Sequence, residues 1–137
     1  MNKIFNFKTI KDPFAPLPED RYLVEVVDVQ QTLNKNDDIM FNIRFKVLKP
    51  EEFANRVLWA NMSLGDDSIS FFKRFLDAVG STLTDGEDVT PDQIVPDLIG
   101  RKATCFVQIG KIPGTEKLKN ELRHWEKTTE ENIDLLS

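Results

Sequence analysis

Three aromatic residues stand among polar or basic neighbours in segments where apolar and polar side chains alternate. They are Trp59, Phe106 and Trp125, and Lys102 and Arg123 are predicted to share the faces of the last two. In an extended strand alternate side chains point to the same face, so each ring is predicted on the more polar face of its strand. Aromatic rings interleaved with cations suit a single-stranded nucleic acid, because bases stack on rings while cations follow the phosphates.

Two other interpretations of these rings stay open. A one-residue shift in register would place them in the core instead, and the chain termini could cover them.

The charges of the chain are segregated along its length. The net charge is −5, yet residues 65–99 carry two positive and eight negative side chains while residues 100–127 carry seven positive and three negative. A local field acts over about a Debye length, on the order of 10 Å, so a basic strip can bind a polyanion on an acidic protein. The predicted phosphate-binding residues are Arg44, Lys46, Arg56, Lys102, Lys111, Lys117, Lys119 and Arg123.

Catalytic and metal-binding patterns are weak. His124 is the only histidine and Cys105, the only cysteine, falls on the apolar face of its predicted strand, which indicates an inert buried thiol. The acidic loop 85–88 does not continue in the register of a calcium-binding loop, and the loop 110–115 lacks the Gly-Lys-Ser/Thr ending of a phosphate loop. We expect no enzyme, no cofactor and no metal.

The elements that position these residues read as three strands, two helices and a hairpin. Strands are predicted over 20–33, from Met40 to Val47 and from Val57 to Leu64, then from Arg101 to Ile109 and from Leu118 to Trp125. Helical spacing from Ile69 to Val79 ends before Gly80, and Thr90-Pro91-Asp92-Gln93 has the pattern of a capping box. This order predicts a mainly β fold, a five-stranded Greek-key OB-fold barrel with a helical connection between strands 3 and 4.

The chain ends flank this domain. Residues 1–19 contain three prolines and predict an extended N-terminal arm, 20–125 form the OB-fold domain, and 126–137 form an acidic C-terminal tail. The start of the chain lacks the apolar run of a signal peptide or membrane span, and a single cysteine fits a reducing compartment, so we expect a soluble cytoplasmic protein.

Five segments together resemble a family of small phage-encoded proteins, long filed as a domain of unknown function, that are similar to OB-fold single-stranded-DNA-binding proteins. Those segments are residues 22–26, 41–48, 59–64, 72–80 and 120–125, with asparagines where glycines are expected in two turns. The resemblance implies binding and protection of single-stranded DNA in phage DNA replication or recombination, in the cytoplasm of a bacterial host.

Two functions follow as alternatives. The first is a non-catalytic, sequence-tolerant single-stranded-DNA-binding protein, whose acidic tail could also dock a replication or recombination protein. The second is a protein-binding module or acidic nucleic-acid mimic, suggested by the net −6 of residues 65–99. The oligomeric state is open, with a homodimer among the alternatives.

Overall fold

The structure is a computed structural model that describes residues 15–86 and 88–129. The strands and helices are β1 (Asp20–Leu33), β2 (Ile39–Lys49), β3 (Val57–Ser63), α1 (Ile69–Ala78), α2 (Pro91–Leu98), β4 (Lys102–Lys111) and β5 (Leu118–Glu126). Short 3-10 helices follow β2 at Glu51–Phe53 and α1 at Leu83–Asp85. The predicted number and order of strands and helices are therefore confirmed.

The five strands form one antiparallel sheet in the order β3-β2-β1-β4-β5. The long strand β1 pairs with β2 along one side and with β4 along the other, and two register shifts interrupt its pairing with β2. Such shifts increase the local twist of a strand. The outer strands β3 and β5 approach each other, but no hydrogen-bonded pairing joins them within 15–86 and 88–129. The mainly β sheet with two helices is shown; closure into a barrel is not.

The core lies between the sheet and the two helices α1 and α2. In β2 the alternate residues Phe41, Ile43, Phe45 and Val47 are fully buried, as their period of two predicts. Phe72 and Phe75 of α1 are buried against them, with the Phe41 and Phe72 rings stacked at 5.4 Å and the Phe45 and Phe75 rings edge-on at 5.9 Å. Helix α1 therefore covers the inner face with aromatic contacts.

Helix ends form as their sequences indicate. Gly80 follows α1 with a positive φ of 75°, the left-handed conformation that ends many helices. At the start of α2 the Thr90 backbone N–H donates to Gln93 Oε1 at 2.8 Å, half of the predicted capping box. Asn55 has a φ of 70°, so asparagine does accommodate a left-handed turn before β3.

The described part of the N-terminal arm, residues 15–19, packs on the domain. Leu17 is fully buried, and its backbone N–H and C=O both bond to the Asn120 side chain, at 2.7 and 2.9 Å. The Arg56 guanidinium donates to the Ala15 carbonyl. Residues 15–17 thus connect the start of β3 to β5. The rest of the arm and the tail from residue 130 onward lie outside the described residues.

Strand β5 contains a β-bulge, after which its side chains project to the opposite faces of the sheet from those that strict alternation predicts. Phe106 pairs with Arg123 but Thr104 pairs with Glu126, so β5 has one residue more than β4 between these pairs. His124 has a φ of 55°, and it follows Arg123 on the exposed side. Trp125 then turns inward against the core. The prediction that Trp125 lies on the polar face is wrong, because strict alternation does not hold across a bulge.

No helix in the described part of the chain is long and apolar enough to cross a membrane.

Candidate nucleic-acid interface

A cleft of about 500 Å³ separates the unpaired edges of β3 and β5. Residues 57–61 form one wall and residues 119–123 form the other. Edge strands expose backbone N–H and C=O groups that have no partner strand on that side. The cleft therefore presents backbone hydrogen-bonding groups together with side chains of residues 57–61 and 119–123.

Trp59 is the exposed aromatic residue of the β3 wall. Its side of the strand faces outward, and 53% of its surface is accessible. Arg44 is its neighbour in β2, with the guanidinium carbon 5.7 Å from the centre of the indole ring. A cation at this distance is attracted to the face of the ring, and the ring stays accessible. The prediction that Trp59 lies on the outer face is confirmed.

The β5 wall carries two of the predicted cations, Lys119 and Arg123. Glu121 lies between them in the strand, with a carboxylate oxygen 3.0 Å from Arg123 Nη2 and another 4.0 Å from Lys119 Nζ. Gly110 of β4 makes room for this carboxylate, since a Cβ there would be 2.8 Å from Glu121 Oε1. Glu121 therefore acts as an internal counter-ion, a role that counting basic residues along the chain does not reveal.

Two amides extend the polar surface next to Trp59. Asn42 Nδ2 donates to Asn61 Oδ1 at 2.6 Å across the β2–β3 pair. Asn61 lies on the same outward side as Trp59 and also lines the cleft. These side chains can form hydrogen bonds with bases or with sugar and phosphate oxygens.

Other predicted cations lie away from the cleft. Lys46 and Lys102 both pair in register with Glu25 of β1, and Lys46 Nζ is 4.0 Å from its carboxylate. Lys111 pairs with Glu116 at 3.1 Å at the end of the β4–β5 hairpin.

Two more cations complete the predicted set. Lys117 is exposed in the same β4–β5 hairpin. Arg56 fastens the Ala15 carbonyl, so its guanidinium has a structural use. The predicted phosphate-binding residues thus form one local group at the cleft and several scattered positions, rather than one continuous strip.

The remaining two aromatic candidates do not join Trp59. Phe106 is half-buried in a separate pocket of about 260 Å³ on the β4–β5 surface, where its ring centre is 6.5 Å from that of His124. Trp125 packs on the inner side, with ring centres 4.8 Å from Phe75 and 5.2 Å from Phe45. Trp125 is therefore a partly buried residue packed against the core rather than an outer stacking surface.

Phe71 is an aromatic residue that the sequence pattern of α1 did not single out. It precedes the buried Phe72 and is 67% exposed, the largest fraction among the exposed large hydrophobic residues of the described chain. It lines a second pocket that adjoins the cleft. A signal was available, because Phe71 lies off the face defined by Phe72, Phe75 and Leu76 and so has no core position.

The reactive groups of the core are chemically quiet. Cys105 is 1% exposed, so its predicted burial is confirmed, and burial raises the pKa of its thiol. Burial, with a smaller contribution from Asp20, raises the pKa of Tyr22 to about 12, and its hydroxyl donates to the Pro18 carbonyl at 2.6 Å. Within 15–86 and 88–129 no three His, Cys, Asp or Glu side chains group as metal ligands would.

No protein-family model matches this chain, and a search of curated proteins finds no match.

Proposed function

We propose that this protein is a non-catalytic, sequence-tolerant single-stranded-DNA-binding protein whose strand lies along the cleft between β3 and β5. The observation that carries the proposal is Trp59, an indole 53% exposed at the cleft wall with Arg44 over it. A large exposed aromatic ring beside cations is well suited to base stacking.

The fold supports this proposal through its strand order. The order β3-β2-β1-β4-β5, with a helix between β3 and β4, fits a five-stranded Greek-key barrel of the OB type that stays partly open between β3 and β5. Barrels of this type bind oligonucleotides across the face of strands 2 and 3. Arg44, Asn42, Trp59 and Asn61 project from that face here.

The electrostatics of the cleft support an exchange of partners. Glu121 holds Lys119 and Arg123 in the free protein, through pairs that are exposed and therefore worth no more than about 1 kcal/mol each. A phosphodiester carries the same single negative charge and also has two non-bridging acceptor oxygens, so it can replace the carboxylate at either cation. Binding is expected to be salt-dependent, with log affinity falling by about 0.7 per neutralised phosphate per log unit of salt.

The test uses the two tryptophans separately. In Trp125→Phe, Trp59 is the only tryptophan, and its fluorescence should be quenched by a thymine oligonucleotide at low salt but not by a matched duplex. Leu33→Ala is the control for loss of an exposed apolar side chain, since Leu33 is 57% exposed and lies outside the cleft lining. Its affinity, measured by anisotropy of a labelled oligonucleotide, should equal that of the wild type.

Absence of any response to single strands at low salt would overturn the proposal. The acidic segment 65–99 would then be the leading surface, as a protein-binding module or nucleic-acid mimic. Phe106→Ala tests how far the bound DNA strand extends. Weaker binding of this variant would indicate that the DNA crosses β5 and reaches the β4 surface. The resemblance extends the proposal to phage DNA replication or recombination, with the acidic tail as a docking segment for a protein of that process.

A further inference from the structure

A pocket of about 430 Å³ lies between α1, β3 and β5, directly beside the cleft. Ala60, Asn61, Leu122 and Arg123 line both cavities, so the two are continuous. The floor is apolar, with Met40, Met62 and Trp125 among its residues. A strand that follows the cleft past Asn61 and Arg123 therefore reaches this pocket without leaving the surface.

Phe71 forms an accessible aromatic wall of this pocket. The residue is 67% exposed although it lies beside the buried Phe72 on the same helix. A base that stacked on Phe71 would remove apolar surface from water, whereas the free protein leaves that surface exposed.

The charged residues that line the pocket are all basic. They are Arg74 and Arg123, and no Asp or Glu of the described chain lines it. Segment 65–99 has a net charge of −6, so a basic residue of this segment at the pocket is an exception to the acidic charge around it. That residue is Arg74. The pocket complements an anion, and the apolar floor and aromatic wall complement a planar ring attached to that anion.

Polar groups at the rim can meet the edge of such a ring. Ser68 occupies the N-cap position of α1, yet its side chain makes no capping hydrogen bond. Asn61 uses its carbonyl oxygen to accept from Asn42, and the amide group of Asn61 remains a donor at the shared rim. Neither group selects one base, which agrees with sequence-tolerant binding.

We infer that this pocket binds one nucleotide of the single strand, with its base against Phe71 and its phosphate at Arg74 and Arg123. The inference rests on the proposed function and deepens it: the strand occupies the cleft at Trp59 first, and only a longer strand also fills the pocket at Phe71.

The experiment follows Trp125, which lines the pocket and is the only tryptophan left in Trp59→Phe. Thymine oligonucleotides from about 4 to about 16 nucleotides, the range of site sizes of OB folds, are titrated into this variant. Trp125 fluorescence should change with the longer strands only. Adding Phe71→Ala should abolish the change, whereas Ile69→Ala, on the same helix and 49% exposed outside the pocket lining, should keep it.

Affinity gives the second readout, in chains with both tryptophans. Phe71→Ala should weaken binding of the long oligonucleotide roughly tenfold and leave the shortest one unchanged. Arg74→Ala should lower the slope of log affinity against log salt by about 0.7, and the matched change Lys73→Ala should not, since Lys73 is next to Arg74 on α1 but does not line the pocket.

The outcomes separate the two proposals. If Trp59 is quenched in Trp125→Phe while Phe71→Ala and Arg74→Ala bind long strands as the wild type does, the pocket inference is overturned and the proposed function stands. If neither tryptophan responds to any strand, both fail. Trp125 responses that persist in Phe71→Ala would overturn the inference too, because they would report a distant change rather than an occupied pocket.

Discussion

The outer surface around Trp59 and the inner cluster around Trp125 use the same side chain in opposite ways. Trp59 is 53% exposed at the edge of the sheet with an arginine over its ring, while Trp125 packs its indole against Phe45 and Phe75. Both stand in strands whose polar and apolar residues alternate. A tryptophan in such a strand thus packs against the core or remains exposed, depending only on which side of the sheet it projects.

The difference between the two regions comes from one additional residue in β5, which forms a bulge. β3 pairs with β2 without a register shift, so alternation holds and Trp59 stays outside. β5 carries a bulge at His124, which puts Arg123 and His124 on the exposed side in succession and sends Trp125 inward. Removing side chains from the two regions should therefore produce different phenotypes.

The largest effect is expected at Trp125. Trp125→Ala should lower the free energy of unfolding by about 3 kcal/mol, because it removes the ring that Phe45 and Phe75 contact and leaves a cavity. Urea denaturation measures this change, and Trp125→Phe should lose much less. A loss below about 1 kcal/mol for Trp125→Ala would contradict the inner placement of the indole.

A second inner-face residue, Tyr22, provides a pH test. Because burial raises the pKa of Tyr22 from its ordinary 10.0 to about 12, its contribution to stability is complete below pH 10. The contribution is lost as the pH rises from 10 through 12, since the unfolded chain releases the proton first. Two pKa units correspond to about 3 kcal/mol.

The measurement compares wild type with Tyr22→Phe in urea at several pH values in that window. The variant has no proton to lose at position 22, so its stability should fall less steeply. Parallel curves for the two proteins would show that the Tyr22 hydroxyl is not protected as its contacts indicate.

The outer region should respond in affinity rather than stability. Trp59→Ala is expected to change the free energy of unfolding by no more than about 0.5 kcal/mol, because the ring is exposed. Affinity for a thymine oligonucleotide should fall by about 1 to 3 kcal/mol, the range for one stacked base. Destabilisation comparable to that of Trp125→Ala would remove the contrast between the two regions.

The smallest effect is expected at Glu121, whose ion pairs at the cleft are exposed. Glu121→Gln should raise the affinity for a single strand about twofold to fourfold at low salt, because Lys119 and Arg123 lose a competing carboxylate. The gain should shrink at high salt. Glu116→Gln is the matched control, since Glu116 pairs with Lys111 at the hairpin, outside the cleft lining. Equal gains in both variants would indicate a change in overall charge only.

Much of the fold could be predicted because local patterns dominate it. The inner residues of β2 follow a period of two, α1 ends at Gly80, and Gln93 reaches the Thr90 amide as the capping pattern predicts. These features depend on neighbours within a few residues along the chain. The pairing of β1 with β4 agrees with the predicted Greek-key order of the strands.

The candidate site was predicted only in part. Trp59, Lys119 and Arg123 line the cleft between β3 and β5, and Arg44 of β2 lies over the Trp59 ring. Four other predicted cations have other partners or positions, namely Lys46, Lys102, Lys111 and Arg56. Which cation meets which carboxylate depends on distances between strands. Those distances are set by registers and bulges that the order of residues does not display.

The sequence by itself determined which segments become strands and helices and that Cys105 is buried, because each follows from a period of two or 3.6 residues. Only the tertiary structure decided that Trp125 packs against the core, that Glu121 neutralises part of the basic wall, and that Phe71 opens onto a pocket beside the cleft. The physical reason is that these three depend on a bulge, on ion pairs held beside Gly110, and on how α1 approaches the edges of β3 and β5.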